Sequence, residues 1–255
     1  MRKFWLATVG LQKSLASELR AFIYCVFLLV SYRLSTSKRF SFLLAILFSA
    51  TIYAQSGSQD LKDAVYKKVI TERVEKIINP LEIKDSAKYH KVLSIVVNQY
   101  LQVNAIQDES KGKSAAIKSS SLEKEEKDKA LKEQDEKKSK HLLQQHETFI
   151  GLLLKSDLSD AQINKVKDGM TYSVSPKTYA AYVDMIPSLA QEQKDKIYNW
   201  LKEARELAMD EGSSERKHAV FGKYKGRINN YLSAEGYDVK KEGQEWQKRI
   251  KAKNK

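Results

Sequence analysis

The stretch KHAVFGKYKGRINNYL, from Lys217 to Leu232, carries side-chain types suited to holding a polar ligand. On a helical wheel of about 100° per residue, Phe221, Tyr224, Ile228, Tyr231 and Leu232 gather on one side and form an inward face. His218, Lys225 and Asn229 fall together on a flank that also contains Gly222. That flank offers an ammonium, an amide that both donates and accepts, and an imidazole. Gly222 and Gly226 each cost a helix interior about 1 kcal/mol relative to alanine. The pair therefore predicts a close approach to this backbone, by a neighbouring helix or by a ligand.

Aromatic and amide side chains continue through the C-terminal half at Tyr172, Tyr179, Tyr182, Tyr198, Trp200, Tyr237 and Trp246, with Asn230 beside Asn229. A pyranose has one apolar face and a rim of hydroxyls, so rings for stacking and planar hydrogen-bonding groups suit it. Tyrosines at helical spacing also pack into cores with the hydroxyl at the rim, and both readings stay open. The contacts expected for an oligosaccharide or monosaccharide are Tyr172, Tyr179, His218, Lys225, Arg227, Asn229, Asn230 and Trp246.

Other chemistries find little support. His141 and His146 are five residues apart, off the four-residue spacing that puts two ligands on one helical face, and no HExxH is present. No metal or other cofactor is expected. Carboxylates are too numerous for a catalytic pair to stand out, and no GxSxG, phosphate loop or dinucleotide fingerprint occurs. No catalytic residue is assigned, and binding is favoured over an enzyme. The +13 charge points to nucleic acid until its distribution is considered, because residues 1–54 hold seven basic side chains against one acid. The remaining basic charge is dispersed, and no nucleic-acid partner is expected.

Those first 54 residues read as a presequence. Lys38 and Arg39 precede an apolar run at 40–50, and Ala54 supplies the small residue before a cut. The run is shorter than the roughly 20 apolar residues a membrane span needs. Export to the periplasm or beyond is expected, with membrane contact only in transit. An uncleaved anchor is the alternative. The long stretch ahead of Lys38 predicts that translation begins later than Met1, near Val30 or Leu34. Cys25, the single cysteine, falls inside this segment, so the chain after Ala54 has no thiol.

Residues 55–255 are expected to form one all-α domain, a bundle of about six to seven helices with a charged helical arm. Leu61, Val65, Val69, Val74, Ile77, Ile78 and Leu81 recur at helical steps before Asn79-Pro80 breaks the pattern. Asp85 or Ser86 can cap a second helix with a stripe from Tyr89 to Ile106. Residues 109–140 mix both charges and bury little; pairs such as Glu123 with Lys127 and Asp128 with Lys132 predict a projecting or partly frayed helical arm. A protein partner could use it. Apolar spacing resumes at Leu142. Ser159 and Gln162 stand at capping-box spacing, Gly169 reads as a helix stop, and Ser175 reads as a cap before Pro176. A helix at 191–210 should turn Ile197, Trp200, Leu201, Ala204, Leu207 and Ala208 inward. Ser213-Ser214 and Gly236 bound the next helix, and a last one runs to about Ile250.

The segments VYKKVITERVEKI, VKDGMTYSVSPKTYAAYVDMIPSL and NWLKEARELAMDEGSSERKHAVFGKYKGRINNYLSAEGYD closely resemble the family called domain of unknown function 3826. The resemblance runs from about Asp60 to Ile250, is most specific from Val166 onward and is weakest in the arm. It implies an exported protein of polysaccharide-degrading Bacteroidetes-type bacteria, with sugar binding as the most that is attributed to the family and no catalytic residues to carry over. LSDAQINKV and SLAQEQKDKI also look like the Leu-Thr-x-x-Gln repeat of small periplasmic helical chaperones, although Ala190 replaces the capping hydroxyl in the second copy. A chaperone-like interaction module is thus the alternative.

Overall fold

Ile70, Val74 and Ile78 recur every four residues, and all three are buried along one face of helix α1 (62–78). The computed structural model describes residues 62–253, and every regular element among them is helical. The presequence, the apolar run at 40–50, the cleavage point after Ala54 and Cys25 lie outside the described residues. Residues from Tyr66 onward make one compact unit. Val69, expected inward, is 47% exposed.

A 3-10 turn, Asn79–Leu81, ends α1 at Pro80, and Glu82 turns the chain in a left-handed conformation. Asp85 caps α2 (Ser86–Ser119) by accepting from the Lys88 amide at 2.8 Å. α3 (Lys124–Leu154) returns along it. Gln145 donates to Gln99 and Gln134 to Ser110, a constant register for two antiparallel helices. Residues 109–140 are therefore the far end of this hairpin, continuous helix on both sides of the turn and not frayed. The ion pairs found there are Lys113–Glu109 and Lys138–Asp135, in place of the expected Glu123–Lys127 and Asp128–Lys132. Exposed pairs at this spacing are weak, so nothing compels a particular set.

α4 (Asp160–Met170) starts on the expected capping box: Ser159 Oγ accepts from the Gln162 amide at 3.2 Å, and Gln162 Oε1 accepts from the Ser159 amide at 3.0 Å. Gly169 does not stop the helix. A Cβ there would stand 2.6 Å from Ile77 Cγ2, so the glycine lets α1 approach. The left-handed turn begins three residues later, at Tyr172 and Ser173, with φ 58° and 55°. Ser173, not Ser175, is the N-cap residue of α5 (Val174–Met185), and Pro176 sits in the first turn, where its missing N–H costs no helical bond. α6 (Gln191–Met209), α7 (Ser214–Ala234) and α8 (Val239–Lys253) complete the eight helices among the described residues. Ser213 caps α7 from 3.2 Å, and Gly236, at φ 91°, follows its end.

Two cores result. α1 to α4 enclose Ile70, Val74, Val96, Phe149, Leu153, Val166 and Met170. α5, α6 and α7 enclose Tyr182, Ile197, Leu201, Phe221, Ile228 and Leu232. α6 serves both, because its last residue, Met209, packs into the first core. The consequence is a buried stripe that includes Arg205 and Met209, whereas Leu207 is 51% exposed.

Candidate functional site

α5 and α7 face each other across a cleft of about 330 Å³ that also reaches the start of α8. Thr178, Ala181, Tyr182 and Met185 stand at i, i+3, i+4 and i+7, which places them on one face of α5. Lys225 and Asn229, one turn apart on α7, form the opposite wall. Tyr182 donates its hydroxyl to Asn229 Oδ1 at 2.7 Å. Burial pushes that phenol up to about 12, so it stays a donor at physiological pH. With Oδ1 occupied, the two amide hydrogens of Asn229 remain for a ligand. Ala181, Met185 and Val239 supply apolar surface beside Thr178, Lys177 and Lys225.

The other expected contacts are dispersed. Tyr172 and His218 meet edge to face, ring centroids 5.6 Å apart. Tyr179 packs on Tyr198 at 5.4 Å. Arg227 lies over Trp200 at 4.5 Å and reaches Glu203 at 3.5 Å. Asn230 is exposed, and Trp246 Nε1 donates to Asp184. Lys225 and Asn229 are thus the two members of the expected set that line the α5–α7 cleft. Tyr182 was the missing partner; its place on the 178–185 face was the available signal. The expectation that a helix or ligand touches Gly222 and Gly226 is not met by any helix, since a Cβ at either would find nothing within 4 Å.

A second polar assembly was not anticipated. Arg205 donates to Asp168 at 2.8 Å and to Asn164 at 2.9 Å, and Lys167 pairs with Glu206 at 2.8 Å. His146 Nδ1 meets Asp210 at 3.1 Å, and its Nε2 lies 3.5 Å from Glu206. Hydrogen bonding to Asp210 and then Glu206 holds the His146 imidazole up at about 9, against the opposing effect of burial. Burial alone would raise Glu206, but its hydrogen bonds to His146 and Lys167 prevail and bring it down to about 2. Every charge in this assembly has a partner, so its role is to tie α3, α4 and α6 together. Among the described residues no cluster of His, Cys, Asp and Glu could hold a metal ion.

The family model described as protein of unknown function (DUF3826) matches residues 67–252. The chain belongs to this family. The match includes both cores, the hairpin and the α5–α7 cleft, and so bears out the resemblance over nearly the whole described chain. No curated protein matches the chain.

Proposed function

We propose that this DUF3826 protein binds carbohydrate in the α5–α7 cleft and does not transform it. The observation that carries the reading is the Tyr182–Asn229 hydrogen bond, which orients an amide into a cleft that has apolar surface and two lysines. A sugar ring needs that combination: apolar contact for one face and directional donors for its hydroxyls. The lining residues include no carboxylate, and glycoside hydrolysis ordinarily uses two. Export by the 1–54 presequence would place the protein where soluble glycans are met.

Calorimetry and thermal shift with neutral plant-cell-wall oligosaccharides and their monosaccharides test this. A ligand that binds the native state raises the melting temperature once it exceeds its dissociation constant. The response should vanish in Asn229→Ala, weaken in Tyr182→Phe and survive Trp246→Ala, whose indole is engaged with Asp184 outside the cleft lining. No response to any neutral glycan at millimolar concentration overturns the reading. Removal of residues 112–138 separates it from the alternative, a protein-interaction module built on the hairpin: glycan binding should persist without the hairpin end.

A further inference from the structure

Lys217 belongs to the inward stripe of α7, four residues before Phe221, and is 4% exposed. Its Nζ donates to the Met170 carbonyl at 3.1 Å and lies 5.2 Å from the centroid of the Tyr100 ring. No carboxylate among the described residues comes within ion-pair distance of it. Burying an ammonium without a counter-charge is costly, and burial pulls Lys217 down to about 8. The fold tolerates this at the end of a narrow pocket of about 30 Å³, walled by Tyr66, Tyr100 and Tyr172 and by the chain entering α7.

Arg73 and Tyr172 line both this pocket and an adjoining groove of about 440 Å³. Lys76 and Lys165 add charge to the groove, and Ile77, Pro80 and Leu81 add apolar surface. Two acids also line the combined cleft, and both are engaged: Glu211 with Arg216 at 3.6 Å and Asp168 with Arg205 at 2.8 Å. Four cations, Arg73, Lys76, Lys165 and Lys217, therefore converge without a carboxylate partner among the described residues. At the junction of pocket and groove stand Tyr172 and Ser173, adjacent non-glycine residues held in left-handed conformations. Such conformations persist where the surroundings enforce them, and they gather at ligand sites.

We propose that this cleft binds the carboxylate of a ring-sized organic acid, its charged group between Lys217 and Arg73 and its body on the Ile77–Leu81 surface. A pocket of this size admits about two water-sized atoms, which suits a flat carboxylate better than a tetrahedral phosphate. The cleft shares no lining residue with the α5–α7 cleft, so the two readings stand or fall separately.

The test is calorimetry on the full chain with benzoate, cyclohexanecarboxylate and glucuronate, with benzamide as the neutral isostere of benzoate and inorganic phosphate as the competing anion. At least one acid should bind, with benzamide and phosphate weaker by about tenfold or more. Arg73→Gln and Lys165→Gln replace exposed side chains, so each should weaken the acid while the ligand-free melting temperature stays put. Lys217→Met should abolish binding; if it fails to fold, the two surface variants still locate the site. Silence toward all three acids, benzamide as tight as benzoate, phosphate as tight as the best acid, or unchanged affinity in both surface variants would each overturn the proposal.

Discussion

The two cores hold similar side chains but are assembled over very different spans of chain. The second closes within Tyr182–Leu232, through helices that follow one another directly. The first gathers Ile70 of α1, Phe149 of α3 and Met209 of α6, with the long α2–α3 hairpin intervening. Bringing distant segments together costs more chain entropy than pairing neighbours, so the second core is the easier to close. α6 is the shared wall, and its buried stripe serves one core until its last turn and the other at Met209. The lesson is that a helix shared by two cores carries charge where they meet: Arg205 lies within the buried stripe, with Glu206 beside it and Asp210 just past the helix end.

The largest expected effect comes from emptying either core. Phe149 and Phe221 are each 1% exposed, so Phe149→Ala and Phe221→Ala should each cost about 3 to 5 kcal/mol. Because α6 joins the cores, calorimetry should show one transition, lowered in both variants. A melt that splits in two, with each variant moving a different step, would make the cores independent and break the comparison.

How far this division can be read from the sequence depends on whether the decisive contact is local. The Ser159–Gln162 box, the Ser213 cap, the Gly236 stop and the pairing of Lys225 with Asn229 on one face all lie within a helical turn or two, and all are legible. Arg205 is not: it occupies the core position four residues after Leu201 and three before Ala208, where a hydrophobicity pattern passes over an arginine. The neighbours that make it tolerable, Asp168 and Asn164, come from α4. Gly169 misleads for the same reason, since Ile77 is far away in the chain. Tyr172 and Ser173 mislead because left-handed residues are expected to be glycine. In the α5–α7 cleft one wall was visible in advance, and the opposite wall needed the packing of α5 on α6 and α7.

The next effect tests the charged seam. Arg205 is buried while its partners Asp168 and Glu206 keep partial solvent access, at 24% and 30%. Removing the guanidinium in Arg205→Met strands them only in part, and the expected loss is about 2 to 3 kcal/mol, below that of a fully buried pair. Denaturant unfolding measures it. A loss below about 0.5 kcal/mol would place the seam with ordinary surface ion pairs and leave Met209 as the link between cores.

The smallest effect is a pH profile, and it distinguishes the paired His146 from the buried, unpaired Lys217. His146 is held at about 9 in the fold against an ordinary 6.5, so the folded state binds the extra proton between those values. Its contribution is complete below pH 6.5 and is lost as pH rises through about 9. Lys217 has the opposite sign: it titrates near 8 in the fold against an ordinary 10.5, so the unfolded chain binds the extra proton and stability is gained above about 8. Each group contributes a slope of at most about 1.4 kcal/mol per pH unit. Stability should therefore fall from pH 6.5, level near pH 8 to 9 where the slopes oppose, and recover toward pH 10. In His146→Gln the falling limb should disappear and in Lys217→Met the rising one. Denaturant unfolding at intervals from pH 6 to 10 reads both. A falling limb that survives His146→Gln would remove the imidazole from the seam's energetics, while a fall that continues to about pH 9 in the parent chain, with no recovery toward pH 10, would show Lys217 to be solvated, and with it the cleft it closes.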